Sequence, residues 1–208
     1  MDKLLTVVIP SYNVEKFLNQ TLDSFVCDEA VMKKFEVIVV DDGSKDNTAK
    51  IGKEYADKYP DTFRVISKEN GGHGSTINCG IRNAVGKYFK VVDGDDWVNT
   101  ADFVKLVEDL EKTESEYVFT NYNEYYDDVN RQKAVDFPQF KDGTEYDFAD
   151  VANKVYIPMH ALVIKTSVLK DNNIVIDEKC FYVDVEYVMF PVPFVNKVTF
   201  FDLHVYMY

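Results

Sequence analysis

Positive charge is what this sequence lacks most: 23 lysines and arginines stand against 36 aspartates and glutamates, a formal net charge of −13 over 208 residues. So acidic a chain repels phosphate backbones, which excludes non-specific nucleic-acid binding. If it binds a nucleotide, the repulsion must be met locally, most simply by a divalent cation held on carboxylates. Cysteine is scarce as well. Cys27, Cys79 and Cys180 are odd in number and far apart, so neither a disulfide framework nor a zinc spacing can be drawn from them, as expected in a reducing cytosol. His73, His160 and His204 are equally scattered, which argues against structural zinc. No stretch nears the ~20 apolar residues of a membrane span, and the apolar run 4–9 is too short for a signal-peptide core. Low-complexity segments are missing too. With 46% hydrophobic and 28% charged residues, the composition is that of one folded domain with a sizeable core.

What is present begins with Leu4-Leu5-Thr6-Val7-Val8-Ile9, an unbroken β-branched and apolar run that suits a strand buried on both faces. Apolar residues at helical spacing follow over 14–27, then a second such strand over 35–40. A helix over 47–59 stopped by Pro60, a strand over 63–66, a short helix over 76–85 and a strand over 88–92 complete the first hundred residues. This β-α-β-α-β-α-β order predicts an α/β fold with a Rossmann-like, mostly parallel sheet and right-handed crossovers. Further on, 101–112 has the pattern of an amphipathic helix, with strands expected at 117–120 and 161–164 and a helix starting at Thr166-Ser167. The chain closes on an apolar run over 198–208 without a polar tail, so the second half is expected to be truncated at its C-terminus.

In such sheets ligands bind beyond the carboxyl ends of the strands. Pro10-Ser11-Tyr12-Asn13, Asp41-Asp42-Gly43-Ser44 and Asp93-Gly94-Asp95-Asp96 each follow a buried strand, so they should meet at one edge. The last cluster offers three carboxylates, the hard oxygen ligands that hold Mg2+ or Mn2+ against phosphate oxygens. A solvated turn with helix-capping aspartates has the same composition, and so does a β-to-α turn at Asp41-Asp42. Two glycine patterns fail as phosphate loops. Gly72-His73-Gly74-Ser75-Thr76-Ile77 follows the third strand and lacks the third glycine of a dinucleotide loop; Gly80 to Gly86-Lys87 has the wrong glycine spacing and Tyr88 in place of Ser or Thr.

Taken in order, Val8-Ile9-Pro10-Ser11-Tyr12-Asn13, Val39-Val40-Asp41-Asp42-Gly43-Ser44-Lys45-Asp46-Asn47-Thr48, Asn70-Gly71-Gly72 with Asn78-Cys79-Gly80, and Asp93-Gly94-Asp95-Asp96 resemble the motifs of family 2 glycosyltransferases. The match is strong over 4–100 and loose beyond. The resemblance implies a single glycosyltransferase-A domain over 1–208, with a nucleotide-sugar-binding half at 1–100 and an acceptor half at 101–208. It implies a cytoplasmic enzyme, with missing segments or partners holding it at the inner membrane face. The implied reaction is an inverting, metal-dependent transfer from a nucleoside diphosphate sugar, a UDP-sugar, to a hydroxyl of a glycan, lipid-linked or protein acceptor in polysaccharide synthesis.

The roles follow from the family's motifs. Pro10 and Tyr12 would line the base pocket, Asp42 would hydrogen-bond uracil or ribose, Asp93 would lie near the ribose, and Asn78 belongs to the substrate-binding set. Asp95 and Asp96 would hold Mn2+ or Mg2+ on the diphosphate. Asp184 would be the catalytic base that takes the acceptor proton, with Glu186 in reserve. Several features depart from the pattern. Val183 stands where the family has Glu, so helix capping by Asp184 competes with the catalytic reading. Thr76-Ile77-Asn78 lacks an Arg on the diphosphate, for which Lys68 or Arg82 would have to substitute. The departure at Val183 also motivates an alternative, a non-catalytic module of the same fold that binds nucleotide-sugar or glycan. A sugar-1-phosphate nucleotidyltransferase is disfavoured because Ser11-Tyr12-Asn13 is not a glycine-rich basic loop. For the remaining candidates, a loop role facing solvent is expected of His73, a half-buried structural role of His160, sugar stacking or packing of Trp97, and an acceptor platform or aromatic core of the tyrosines over 122–148.

Overall fold

The computed structural model describes residues 3–126 and 131–208. Strand β1 (Leu5–Ser11) is buried along its whole length, as is β2 (Phe35–Asp41). Successive side chains of a strand point to opposite faces. Val8, Ile38 and Val40 therefore enter one core cluster, while Val7, Ile9, Val37 and Val39 enter the other. A continuous apolar run is thus what a strand sandwiched between two helical layers requires. Between these strands lie α1 (Leu18–Asp23) and α2 (Glu29–Met32), and after them α3 (Thr48–Lys58), β3 (Phe63–Ser67), α4 (His73–Asn83) and β4 (Tyr88–Val91).

The helix expected over 14–27 is shorter, reduced to α1. Asn13 has φ 56, and the Val14 N–H donates to the Thr48 hydroxyl rather than to its own helix. Asp28 then starts α2 by accepting from the Ala30 N–H. Local side-chain bonds have outcompeted helical continuity there.

β1 pairs in parallel with β2 and β4, and β2 with β3, so the order 3-2-1-4 follows the crossovers expected from the sequence. The second half adds β5 (Trp97–Val98), α5 (Thr100–Asp109), β6 (Tyr117–Tyr126), β7 (Arg131–Val135), β8 (Thr144–Asp147), α6 (Phe148–Val151), β9 (Leu162–Lys165), α7 (Thr166–Asp171), α8 (Val183–Met189) and β10 (Lys197–Met207). The full order is β3-β2-β1-β4-β9-β6-β10-β5, with β7 on β6 and β8 on β10. The chain is α/β as expected, but the added part of the sheet is mixed. β9 lies antiparallel to both β4 and β6, and only β10 runs parallel to β6. Hydrophobic periodicity marks a strand without giving its direction, so this could not be read beforehand.

Within the aromatic stretch of the second half Phe137 and Phe140 are core, Tyr122 and Tyr146 pack against that core, and Tyr126 is exposed. Phe119 packs against Phe137, Phe140 and Phe200 with ring centroids 4.9 to 5.4 Å apart. Tyr146 meets Phe140 edge-on, and Phe148 meets Tyr117 in the same way. Trp97 meets Tyr125 edge-on at 5.4 Å, which settles it as packing. β10 is the element that matters most for the site. Running beside β6, it brings its last residues under the turn that follows β4.

Candidate functional site

The three polar clusters do converge. Pro10, Tyr12, Asp42, Asp93 and Asp95 line one cleft of about 640 Å³ at the carboxyl ends of β1, β2 and β4. Its rim includes His73 from the start of α4 and Phe181 from the loop before α8. Tyr12 is 49% exposed, so its ring is free to cover a planar ligand.

Asp42 is buried, and its carboxylate already has several donors. The Gly71 and Gly72 N–H groups reach it at 3.0 and 2.8 Å, and the Lys68 ammonium at 2.7 Å. Asp42 therefore fixes the glycine loop as one wall of the cleft. Lys68 is spent on this arrangement, and Arg82 is exposed on a different surface, so neither takes the place of the missing diphosphate arginine.

A tight turn carries the acidic cluster. A Cβ on Gly94 would lie 2.9 Å from the Pro10 carbonyl oxygen, so only glycine lets the turn pack onto the β1 end. Tyr206, near the end of β10, holds this turn from below. Its hydroxyl donates to Asp96 Oδ2 at 2.6 Å and accepts from the Asp93 N–H at 3.1 Å. Burial pushes the Asp96 carboxyl up to about 7; Asp93 and Asp95 add to the rise and the Tyr206 hydrogen bond opposes it. Beneath the Tyr206 ring lies Lys90, fully buried, its ammonium 5.3 Å from the ring centroid and donating to the His160 and Leu162 carbonyls. Burial lowers the Lys90 pKa to about 7.

His73 is not the solvent-facing loop residue expected from the sequence. Its Nε2 lies 3.2 Å from Asp93 Oδ1, close but poorly aligned for a hydrogen bond, so the contact is a charge pair. Burial opposes its protonation. Asp93, with Asp184 and Asp95 further off, outweighs burial and raises its pKa overall. No lysine or arginine pairs with Asp93, Asp95 or Asp96 among the described residues. Hard carboxylate oxygens crowded in one turn, one of them pushed up to about 7, make a donor set that fits a divalent cation.

Asp184 sits in the first turn of α8, where the flanking Tyr182 is left-handed at φ 63 and supplies no side-chain cap. Its negative charge adds to the forces that favour protonation of His73 on the cleft rim. Glu186 is otherwise engaged, its Oε2 accepting from the Asp177 N–H at 2.8 Å. Val183 is buried in the core, which accounts for an apolar residue at the position where the family has Glu. Asn78 is set apart from the others. Its amide donates to the Ile176 carbonyl and accepts from the Ile176 N–H, clamping α4 to the loop that leads to α8 rather than facing the cleft. The same loop touches Gly74, where a Cβ would collide with the Asp177 carbonyl at 2.0 Å. Glycine here lets the second half close onto the first.

A mixed α/β sheet with an acidic turn on a cleft at the carboxyl ends of its parallel strands defines the class, a glycosyltransferase-A domain. The profile described as "Glycosyl transferase family 2" matches residues 6–172, and the chain belongs to that family. Among curated relatives, the uncharacterized glycosyltransferase EpsJ of Bacillus subtilis is 38% identical over 118 residues, 57% of this chain and 33% of that protein. The minor teichoic acid biosynthesis protein GgaB, also of Bacillus subtilis, is 33% identical over 53% of this chain and 12% of its own length. The chain thus spans a third or less of each of these relatives. Among solved structures, residues 1–349 of Staphylococcus aureus TarS in complex with UDP-GlcNAc superpose with a TM-score of 0.81 at 24% identity, covering 99% of this chain and 58% of that one. The mannosyltransferase PcManGT of Pyrobaculum calidifontis, in complex with GDP-Man and Mn2+, gives 0.71 at 18%, covering 100% and 57%. At these identities the two structures establish the fold. No helix among the described residues is long and apolar enough to cross a membrane.

Proposed function

We propose that this domain transfers a sugar from a nucleoside diphosphate donor, UDP in the first instance, to an acceptor hydroxyl with inversion at the anomeric carbon. The observation that carries the reading is the cleft itself: Tyr12, Asp42, Asp93 and Asp95 line it at the carboxyl ends of the parallel strands, and Asp184, free of any capping duty, sits in the first turn of α8, which follows the rim residue Phe181. TarS and PcManGT, solved with UDP-GlcNAc and with GDP-Man and Mn2+, support a nucleotide sugar and a divalent cation; GgaB supports polysaccharide synthesis as the setting.

Tyr12 stacks on the base, and Pro10 bounds its pocket. Asp42 holds the glycine loop beneath the nucleoside, and Asp93 faces the ribose. Asp95 and Asp96 would hold a divalent cation, which would supply Lewis-acid stabilisation of the leaving diphosphate. Asp184 accepts the proton of the attacking hydroxyl, the role that in-line displacement asks of a carboxylate on the acceptor side. The burial of Val183 gives the apolar residue at that position a packing role of its own. The acceptor belongs to the glycan, lipid-linked or protein class, met on the cytoplasmic side.

Calorimetry of UDP with and without Mn2+ tests the reading. We expect binding that depends on the cation and is weaker for GDP. Loss of all cation-dependent binding, for every nucleoside diphosphate, would overturn it.

A further inference from the structure

His160 lies on a single 3-10 turn (Met159–Ala161) that leads into β9. Three tyrosine rings set its imidazole, with centroids at 4.3 Å for Tyr208, 4.9 Å for Tyr206 and 5.7 Å for Tyr122. Its carbonyl is pinned from the other side by the Lys90 ammonium at 2.8 Å. A half-buried histidine held this firmly is expected to use its ring nitrogens in hydrogen bonds. Neither ring nitrogen of His160 hydrogen-bonds to a described residue, and no described carboxylate ion-pairs with it.

The imidazole instead faces the acidic turn. One of its ring nitrogens, one oxygen of Asp93 and one oxygen of Asp96 all lie within 4.8 Å of one another. Neighbouring ligands of an octahedral cation sit about 3 Å apart when each bond is ~2.1 Å, so the three atoms need only a small inward movement to share one ion. Asp96 has an oxygen to offer, because Tyr206 engages only Oδ2.

Resting on the donor-site reading above, we propose that His160 is a nitrogen ligand of the divalent cation, shared with Asp93 and Asp96, and that the site therefore takes a first-row transition ion in preference to Mg2+. Imidazole nitrogen suits transition ions, whereas Mg2+ prefers an all-oxygen, largely hydrated shell. The ion then lies on the β9–β10 side of the turn, and Asp95 completes its carboxylate set from the cleft mouth.

Pulsed electron paramagnetic resonance of Mn2+ bound with UDP to the full chain tests this, with 15N-labelled protein separating protein nitrogen from uracil nitrogen. We expect coupling to one directly bound imidazole nitrogen in the unsubstituted chain. His160→Gln should abolish that coupling and weaken Mn2+ about tenfold or more, while Mg2+ affinity changes by less than about threefold. The unsubstituted spectrum stands by itself even if the variant folds poorly. Mn2+ and UDP binding without any nitrogen coupling would overturn the proposal and leave the donor reading intact. Coupling that persists in His160→Gln overturns it as well. If neither Mn2+ nor UDP binds, the donor reading fails, and this proposal fails with it.

Discussion

At the amino ends of the parallel strands, Glu36 is buried and both of its oxygens are satisfied. It accepts from the Thr6 hydroxyl at 2.6 Å, the Val85 N–H at 2.9 Å and the Arg64 guanidinium at 3.0 Å. At the carboxyl ends, Asp93, Asp95 and Asp96 share one turn, and the described ionisable groups beside them are His73, Tyr206 and His160, with no lysine or arginine paired to them. One end is electrostatically closed, and the other is left with carboxylates that a ligand or ion has to complete. Scaffold and site are thus distinguishable by whether charge is satisfied internally, a distinction that motif spelling alone does not make.

This contrast can be broken by substitution. The largest effect is expected at Asp184, the proposed base. Asp184→Asn should lower transfer by about 10²- to 10⁴-fold and leave UDP affinity with Mn2+ within about twofold. Turnover assays paired with calorimetry check it, and full activity in the variant would remove Asp184 as the base. At the closed end, Glu36→Ala should cost about 3 kcal/mol of stability, because it strands the Arg64 guanidinium and the Thr6 hydroxyl. Its UDP affinity should be unchanged, as denaturant titration and calorimetry can show.

Asp95→Asn should do the reverse. Relief of like-charge repulsion is expected to raise the melting temperature of the cation-free chain by about 1–2 °C, while cation-dependent UDP binding weakens. A fall in melting temperature would mean that the turn is built for stability after all. The smallest effect is a slope. Lys90 has a folded pKa near 7, below its ordinary 10.5, so the unfolded chain binds the extra proton between those values. Stability through this group therefore rises as pH goes from about 7 to 10. Lys90→Met should flatten that rise in a series of thermal melts, and an unchanged slope would place the titrating group elsewhere.

Much of the first half was legible from the residues. Runs such as 35–40 can only be strands buried on both faces, and the polar residues that follow them had to fall at one sheet edge. Pro10, Tyr12, Asp42, Asp93 and Asp95 accordingly share a cleft. Asn78 did not follow, because its neighbour in space is Ile176, 98 residues on. The helix over 14–27 was misjudged where Thr48, another distant residue, captures the Val14 N–H. His73 was read as a loop histidine because nothing local announces Asp93 as its partner.

Taken by itself, then, the sequence determined the parallel α/β half, the edge on which chemistry would gather and the acidic character of that edge. These depend on periodicity and composition, which are local. Only the tertiary structure decided what holds the acidic turn. Tyr206 is an aromatic residue in an apolar strand, Lys90 a lone charge in a buried one, and His160 an isolated histidine before another. Each has an ordinary neighbourhood in sequence. Their meeting under Asp93 and Asp96 comes from β10 running beside β6 and from β9 lying against β4, pairings between distant segments whose direction no hydrophobic pattern encodes.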